Sequence, residues 1–171
     1  MVFVAVIAGR PSTQAGAALP GQRLPDLDAV APSDLGVVPA RVGGERRWRL
    51  GFGSAAENVG AGPLIIDGRR SPASRTMVAE QVITRRGGRS LVRPRVGRLR
   101  FVTSPDHRHW HLLGFMRYEL RHATTYALVR PDRKTGFCLG DRYDAGRSEP
   151  RKPRREVFRS DCVPNPDALA V

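Results

Sequence analysis

The chain has 171 residues, with 29 Lys plus Arg against 16 Asp plus Glu and a formal net charge of +13 at pH 7. That length suits one domain and excludes two full catalytic domains, and a hydrophobic content of 40% excludes a wholly disordered chain. Lys134 and Lys152 are the only lysines, so chemistry that needs a primary amine has two candidates.

The first eight residues, MVFVAVIA, form a short apolar run. Small residues follow, including Ala15-Gly16-Ala17, an AxA-like cleavage pattern with no basic stretch ahead of the run. The segment reads either as the back part of a secretory signal or as an ordinary apolar N-terminus. No run of 18 or more apolar residues occurs, so no transmembrane span is expected. Residues 1–23 are assigned to this apolar N-terminus and a flexible tether, with tether-like Ala, Pro, Gly and Ser continuing to about residue 46. A β domain is expected over 24–171, with order beginning near Leu24-Pro25-Asp26-Leu27.

Short apolar segments of period two, separated by turn residues, predict an all-β fold, an immunoglobulin-like β-sandwich of short antiparallel strands. The first clear strand is 47–52, with Trp48, Leu50 and Phe52 on the core-facing side. Asn58-Val59-Gly60 turns the chain, 63–66 is a short buried run, and 77–84 with 90–92 forms a hairpin around Gly87-Gly88. A further strand over 99–103 leads into the histidines.

His107, His109 and His111 stand at i, i+2 and i+4, so in a strand their imidazoles project from one face, with neighbours about 7 Å apart, and can converge on one metal ion. The other face reads Trp110, Leu112, Gly114, Met116, Tyr118 and Leu120, an apolar stripe expected to pack in the core. Three neutral imidazoles suit copper, zinc or iron, and ligand type alone does not choose among them. A cupin's carboxylate ligand is missing downstream, where Gly114, Phe115 and Met116 stand, and no HExxH occurs. Arg108 is placed on the core-facing side as a snorkelling or ion-paired residue, Asp106 is a possible orienting group for an imidazole, and His122 lies beyond the stripe. Another strand is read over 126–130.

Cys138 and Cys162 are the smallest set that can close a disulfide, around a loop of roughly 25 residues worth about 3 kcal/mol in the chain-entropy model. No CxxC occurs, which disfavours a thiolate metal or redox site, and the pair suits an extracellular, oxidising location.

A three-histidine strand followed by Lys134-x-x-Phe137-Cys138-Leu139-x-Asp141 resembles the lysyl oxidase family. The resemblance covers residues 24–171, weakly up to 99 and specifically over 107–141. It implies that His107, His109 and His111 are copper ligands, that Lys134 is the lysine of a lysine tyrosylquinone cofactor, and that Cys138 is a structural cysteine. The implied activity is secreted, copper-dependent oxidation of a primary amine, a peptidyl lysine or a small amine, by oxygen and water to an aldehyde, ammonia and hydrogen peroxide. Asp141 is a candidate base because a motif carboxylate lies near the lysine. The family's partner tyrosine lies some tens of residues beyond this motif. None of Tyr118, Tyr126 and Tyr143 matches that position, so the chain is read as a fragment or truncated form that carries the copper site and the lysine without their tyrosine, with the last strands of its sandwich expected to be missing.

Two other classes compete with the amine oxidase: a noncatalytic secreted copper-binding β domain, and a basic polyanion-binding module. Against the last, Trp48 and Trp110 both fall on expected core faces, leaving no aromatic platform for bases. Pro153 within Arg151-Lys152-Pro153-Arg154-Arg155 argues against a helical nucleic-acid reader, so no specific nucleic-acid partner is expected. The sequence leaves the oligomeric state open.

Overall fold

A computed structural model describes residues 20–104, 107–131, 136–141, 153 and 155–171, together with the backbone of 3–7. Among these residues there is no helix; the chain is all-β, built of antiparallel sheets in a sandwich-like arrangement.

Thirteen strands are present in the described residues. They are β1 (Phe3–Ile7), β2 (Gln22–Arg23), β3 (Leu27–Ala29), β4 (Ser33–Val42), β5 (Glu45–Gly53), β6 (Ala56–Asn58), β7 (Ile65–Arg69), β8 (Thr76–Arg85), β9 (Leu91–Ser104), β10 (His107–Leu113), β11 (Tyr118–His122), β12 (Leu128–Pro131) and β13 (Gly136–Phe137). The main sheet runs β13-β10-β9-β8-β2, with β7 also paired to β8. A second sheet has the order β1-β11-β12, and β3-β6 and β4-β5 are two-stranded.

Meanders dominate because the turns sit where glycine pairs allow them: Gly87 takes φ +66° in the β8–β9 connection, while Gly43 and Gly44 take +62° and +84° between β4 and β5. One face of the main sheet is the core. Met77, Ala79, Leu99, Trp110 and Leu112 are buried there, and Ile66, Phe101, Val163, Ala168 and Val171 pack against them. The chain's last residues form the lid of this core. Val171 exchanges backbone hydrogen bonds with Gly68 in both directions, at 2.9 and 3.0 Å, and Arg70 donates to the carbonyls of Ala168 and Pro166.

Several expectations are corrected. The tether does not extend to 46, because 22–23, 27–29 and 33–42 are strands that pair in space, which the Ala, Pro, Gly and Ser composition hid. The apolar N-terminus contributes β1, paired with β11 from Phe3↔His122 to Ile7↔Tyr118. Residues 91–92 and 99–103 belong to one 14-residue strand, and the strand read over 126–130 begins at Leu128, since Tyr126 sits at φ +55°. Trp48 and Leu50 do share a face with Phe52, but Trp48 is 71% exposed: period two assigns residues to faces without saying which face is covered. The stripe through Leu120 breaks after Leu113, where Gly114 at φ +67° turns the chain out of the main sheet and Tyr118 enters another one.

Candidate metal centre

The histidine strand β10 lies between β9 and β13, with His109 opposite Val102, His111 opposite Arg100 and Leu112 opposite Phe137. Its core face is fastened twice. The Trp110 indole Nε1–H donates to the Asn165 carbonyl at 3.0 Å and its backbone N–H donates to the Cys162 carbonyl at 3.2 Å. The ring also lies edge-on to Phe101, with centroids 5.6 Å apart, and Arg70 stands 5.6 Å over its face. A ligand strand held this firmly from behind keeps the histidines on its front in register.

On that front, His107, His109 and His111 form a single group whose ligand atoms all lie within 4.8 Å of one another. His107 is exposed at the rim, whereas His109 and His111 are each only 7% exposed. The Nε2 atoms of His109 and His111 are 2.9 Å apart, and the His107 ring centroid lies 5.4 Å from that of His109 and 5.7 Å from that of His111. Two imidazole nitrogens bound about 2.05 Å from one ion and 90° apart are themselves separated by about 2.9 Å. The donor set therefore fits a transition-metal ion, with the exposed His107 the ligand that has room to close the remaining distance by a rotamer change.

The histidines line an open cleft of about 1130 Å³. Gly136, Phe137, Cys138, Leu139 and Asp141 form one wall, and residues 53–64 with 155–158 form much of the rest. Gly136 has no room for a side chain, since a Cβ there would approach the Leu112 carbonyl oxygen to 2.7 Å and His111 Cβ to 3.0 Å. Phe137 is buried against Phe115 and Tyr118, with ring centroids 5.7 and 6.2 Å apart. The Cys138–Cys162 disulfide is formed, with Cα atoms 5.7 Å apart, and joins this wall to the segment that fastens Trp110. Of the wall residues, Asp141 is a brace: its Oδ2 accepts hydrogen bonds from the backbone N–H groups of Val157 and Phe158 at 2.6 and 3.0 Å.

Lys134, Asp106 and Tyr143 lie outside the described residues. Arg108, opposite Thr103, shares the face of Trp110 but is exposed, because it sits at the strand's open start, beyond the packed stretch that begins at His109. His122 belongs to β11 in another sheet and is not part of the histidine group. Tyr118 is buried with its hydroxyl toward the Met116 sulfur at 3.8 Å, and Tyr126 is 63% exposed; neither lines the cleft.

Sequence reasoning missed the far wall of the cleft. Asn58 was legible only as a turn residue, yet its side chain accepts from the Asp26 and Gly60 N–H groups and donates to the Gly62 carbonyl, pinning that wall to the start of the domain. Among the described residues, Asp34, Glu57, Asp141 and Glu156 line the cleft alongside Arg23 and Arg155, a more acidic balance than a chain of net charge +13 suggests. No family model, no curated protein and no solved structure matches the chain.

Proposed function

We propose that this is an extracellular copper-binding protein of lysyl oxidase type, with His107, His109 and His111 as ligands and oxidation of a primary amine as its activity. The observation that carries the reading is the convergence of three imidazoles, two of them buried, in the lining of an open cleft. The motif following that strand supports the finer assignment, because Gly136, two positions after Lys134 in the chain, packs directly against His111. The disulfide is compatible with an extracellular location, and among the described residues no helix is long and apolar enough to cross a membrane.

Copper, when bound, supplies one-electron redox chemistry toward oxygen and toward an oxidisable side chain. The chain's own residues build the place where this happens. Trp110 anchors the ligand strand, Gly136 lets the cleft wall approach His111, and Asp141 holds 157–158 at the cleft's edge. The cleft carboxylates favour a cationic amine over an anion, which offsets the repulsion expected from the net charge of the chain.

A second reading, a noncatalytic copper-binding domain, is favoured by one observation: of the described tyrosines, neither Tyr118 nor Tyr126 lines the cleft that holds the histidines. Elemental analysis with a parallel redox-cycling quinone stain, on protein secreted into a copper-supplied medium, separates the readings. About one copper per chain with a positive stain is expected for the amine oxidase. Copper without stain establishes the noncatalytic domain, and a protein that takes up no copper overturns both.

A further inference from the structure

The β4–β5 hairpin stands apart from the other sheets, its strands pairing only with each other among the described residues. Directly paired residues share a face, so Val37 with Leu50 and Pro39 with Trp48 form an apolar stripe, and Arg41 with Arg46 ends that same face at the tip. Phe52 begins the stripe at the base, where its ring meets Tyr118 edge-on with centroids 5.1 Å apart. From there outward nothing among the described residues covers it: Val37 is 62% exposed, and Trp48 more so.

The charge on the hairpin narrows what can lie against this face. Arg41, Arg46, Arg47 and Arg49 outnumber Asp34 and Glu45, and Glu45 is ion-paired to Arg47. A second copy would bring arginine against arginine between two chains of net charge +13. Nucleic acids and acidic sugar polymers match the charge but offer no apolar layer to Val37 and Leu50. An anionic lipid surface offers both in one plane, with phosphates for the guanidinium groups, headgroup depth for an indole and hydrocarbon just beneath.

We propose that the β4–β5 hairpin docks the protein on anionic membrane surfaces, with Trp48, Val37 and Leu50 entering the interface and Arg41 and Arg46 on lipid phosphates. The hairpin rises from the cleft, since Ser33, Asp34 and Gly53 at its base are cleft residues, so docking places the histidine site near the membrane. The docking does not depend on the metal or on the amine oxidase reading.

The test is sedimentation of the full chain with sucrose-loaded phosphatidylcholine vesicles, with and without about one third phosphatidylserine, read together with tryptophan fluorescence. The only other tryptophan, Trp110, is 3% exposed and already in the core, so a change in emission reports Trp48. Binding to the anionic vesicles is expected with a blue shift, with quenching by lipids brominated on their acyl chains, and with about tenfold weaker partitioning for Trp48→Ala. Trp48 is exposed, so the variant keeps its fold, which unchanged circular dichroism verifies. Three results overturn the proposal: no vesicle binding, binding that salt abolishes with Trp48 emission unmoved, or a dimer that Trp48→Ala dissolves.

Discussion

Gly136 lies so close to His111 that a methyl group on it would stand 3.0 Å from the histidine's own Cβ and 2.7 Å from the Leu112 carbonyl oxygen. Both neighbours belong to the strand that carries the three histidines, so a side chain at 136 must push β13 away from β10. Gly136→Ala is expected to destabilise the fold by about 1–3 kcal/mol and to weaken copper binding as well. Thermal melting and a copper titration on the same sample check this, and a variant with wild-type affinity and stability would show that the wall is looser than described.

The four histidines divide cleanly by position. His109 is buried within the ligand group, whereas His122 sits in the β1-β11-β12 sheet. His109→Ala is expected to lower copper affinity by more than about a hundredfold, beyond the loss seen for a residue that merely orients a ligand, while His122→Ala leaves copper content at the wild-type level. Elemental analysis after dialysis against a weak chelator reads both variants.

The disulfide spans 24 positions and ties the cleft wall to the segment whose Cys162 carbonyl receives the Trp110 N–H. Chain entropy alone assigns such a loop about 3 kcal/mol, which for a domain of this size is a fall in Tm of roughly 6–12 °C. The double variant Cys138→Ser with Cys162→Ser is expected to show that fall in a denaturation experiment, with a larger loss indicating that the wall itself has come away.

Beside it, Asp161 faces Arg159 at 3.0 and 2.5 Å and accepts the Val163 N–H at 3.2 Å. The hydrogen bond from Arg159 holds the Asp161 carboxyl below the usual carboxylate range, helped by the Val163 N–H and opposed by partial desolvation. A folded-state pKa below the unfolded one adds stability that is present above the unfolded pKa and is lost as pH falls through the folded value. Asp161→Asn is therefore expected to flatten the acid limb of a stability profile below about pH 4 and to leave its neutral region little changed in shape. Urea titrations across pH give that profile.

How much was legible in the sequence follows the reach of each signal. Alternation over 107–113 placed the three histidines on one face and Trp110 with Leu112 on the other, because period two is a local property of one strand. The same alternation put Trp48 with Leu50 and Phe52, and failed only in taking that face for core, since whether another layer covers a strand is decided by distant segments. The cysteine pair needed only a count. The core lid formed by Val163, Ala168 and Val171 was illegible, because its bonds to Gly68 and Arg70 join segments about a hundred residues apart with no periodic pattern in either.

Asp141 separates two roles that its motif position left merged. As a brace it needs an oxygen that accepts from Val157 and Phe158; as a general base it needs a carboxylate able to take a proton. Asparagine keeps an accepting oxygen in nearly the same place but cannot act as that base, and alanine removes both. If the brace is the whole role, Asp141→Asn retains stability and amine turnover within about twofold, while Asp141→Ala frees the backbone at 157–158 and costs about 1–2 kcal/mol for the lost hydrogen bonds. If Asp141 also takes the substrate proton, Asp141→Asn folds normally yet loses at least about a hundredfold in kcat. Two exposed backbone donors converging on one carboxylate oxygen favour the first outcome, since a base so engaged has that oxygen already spent. Hydrogen exchange at Val157 and Phe158, measured beside turnover of a small primary amine, distinguishes the two.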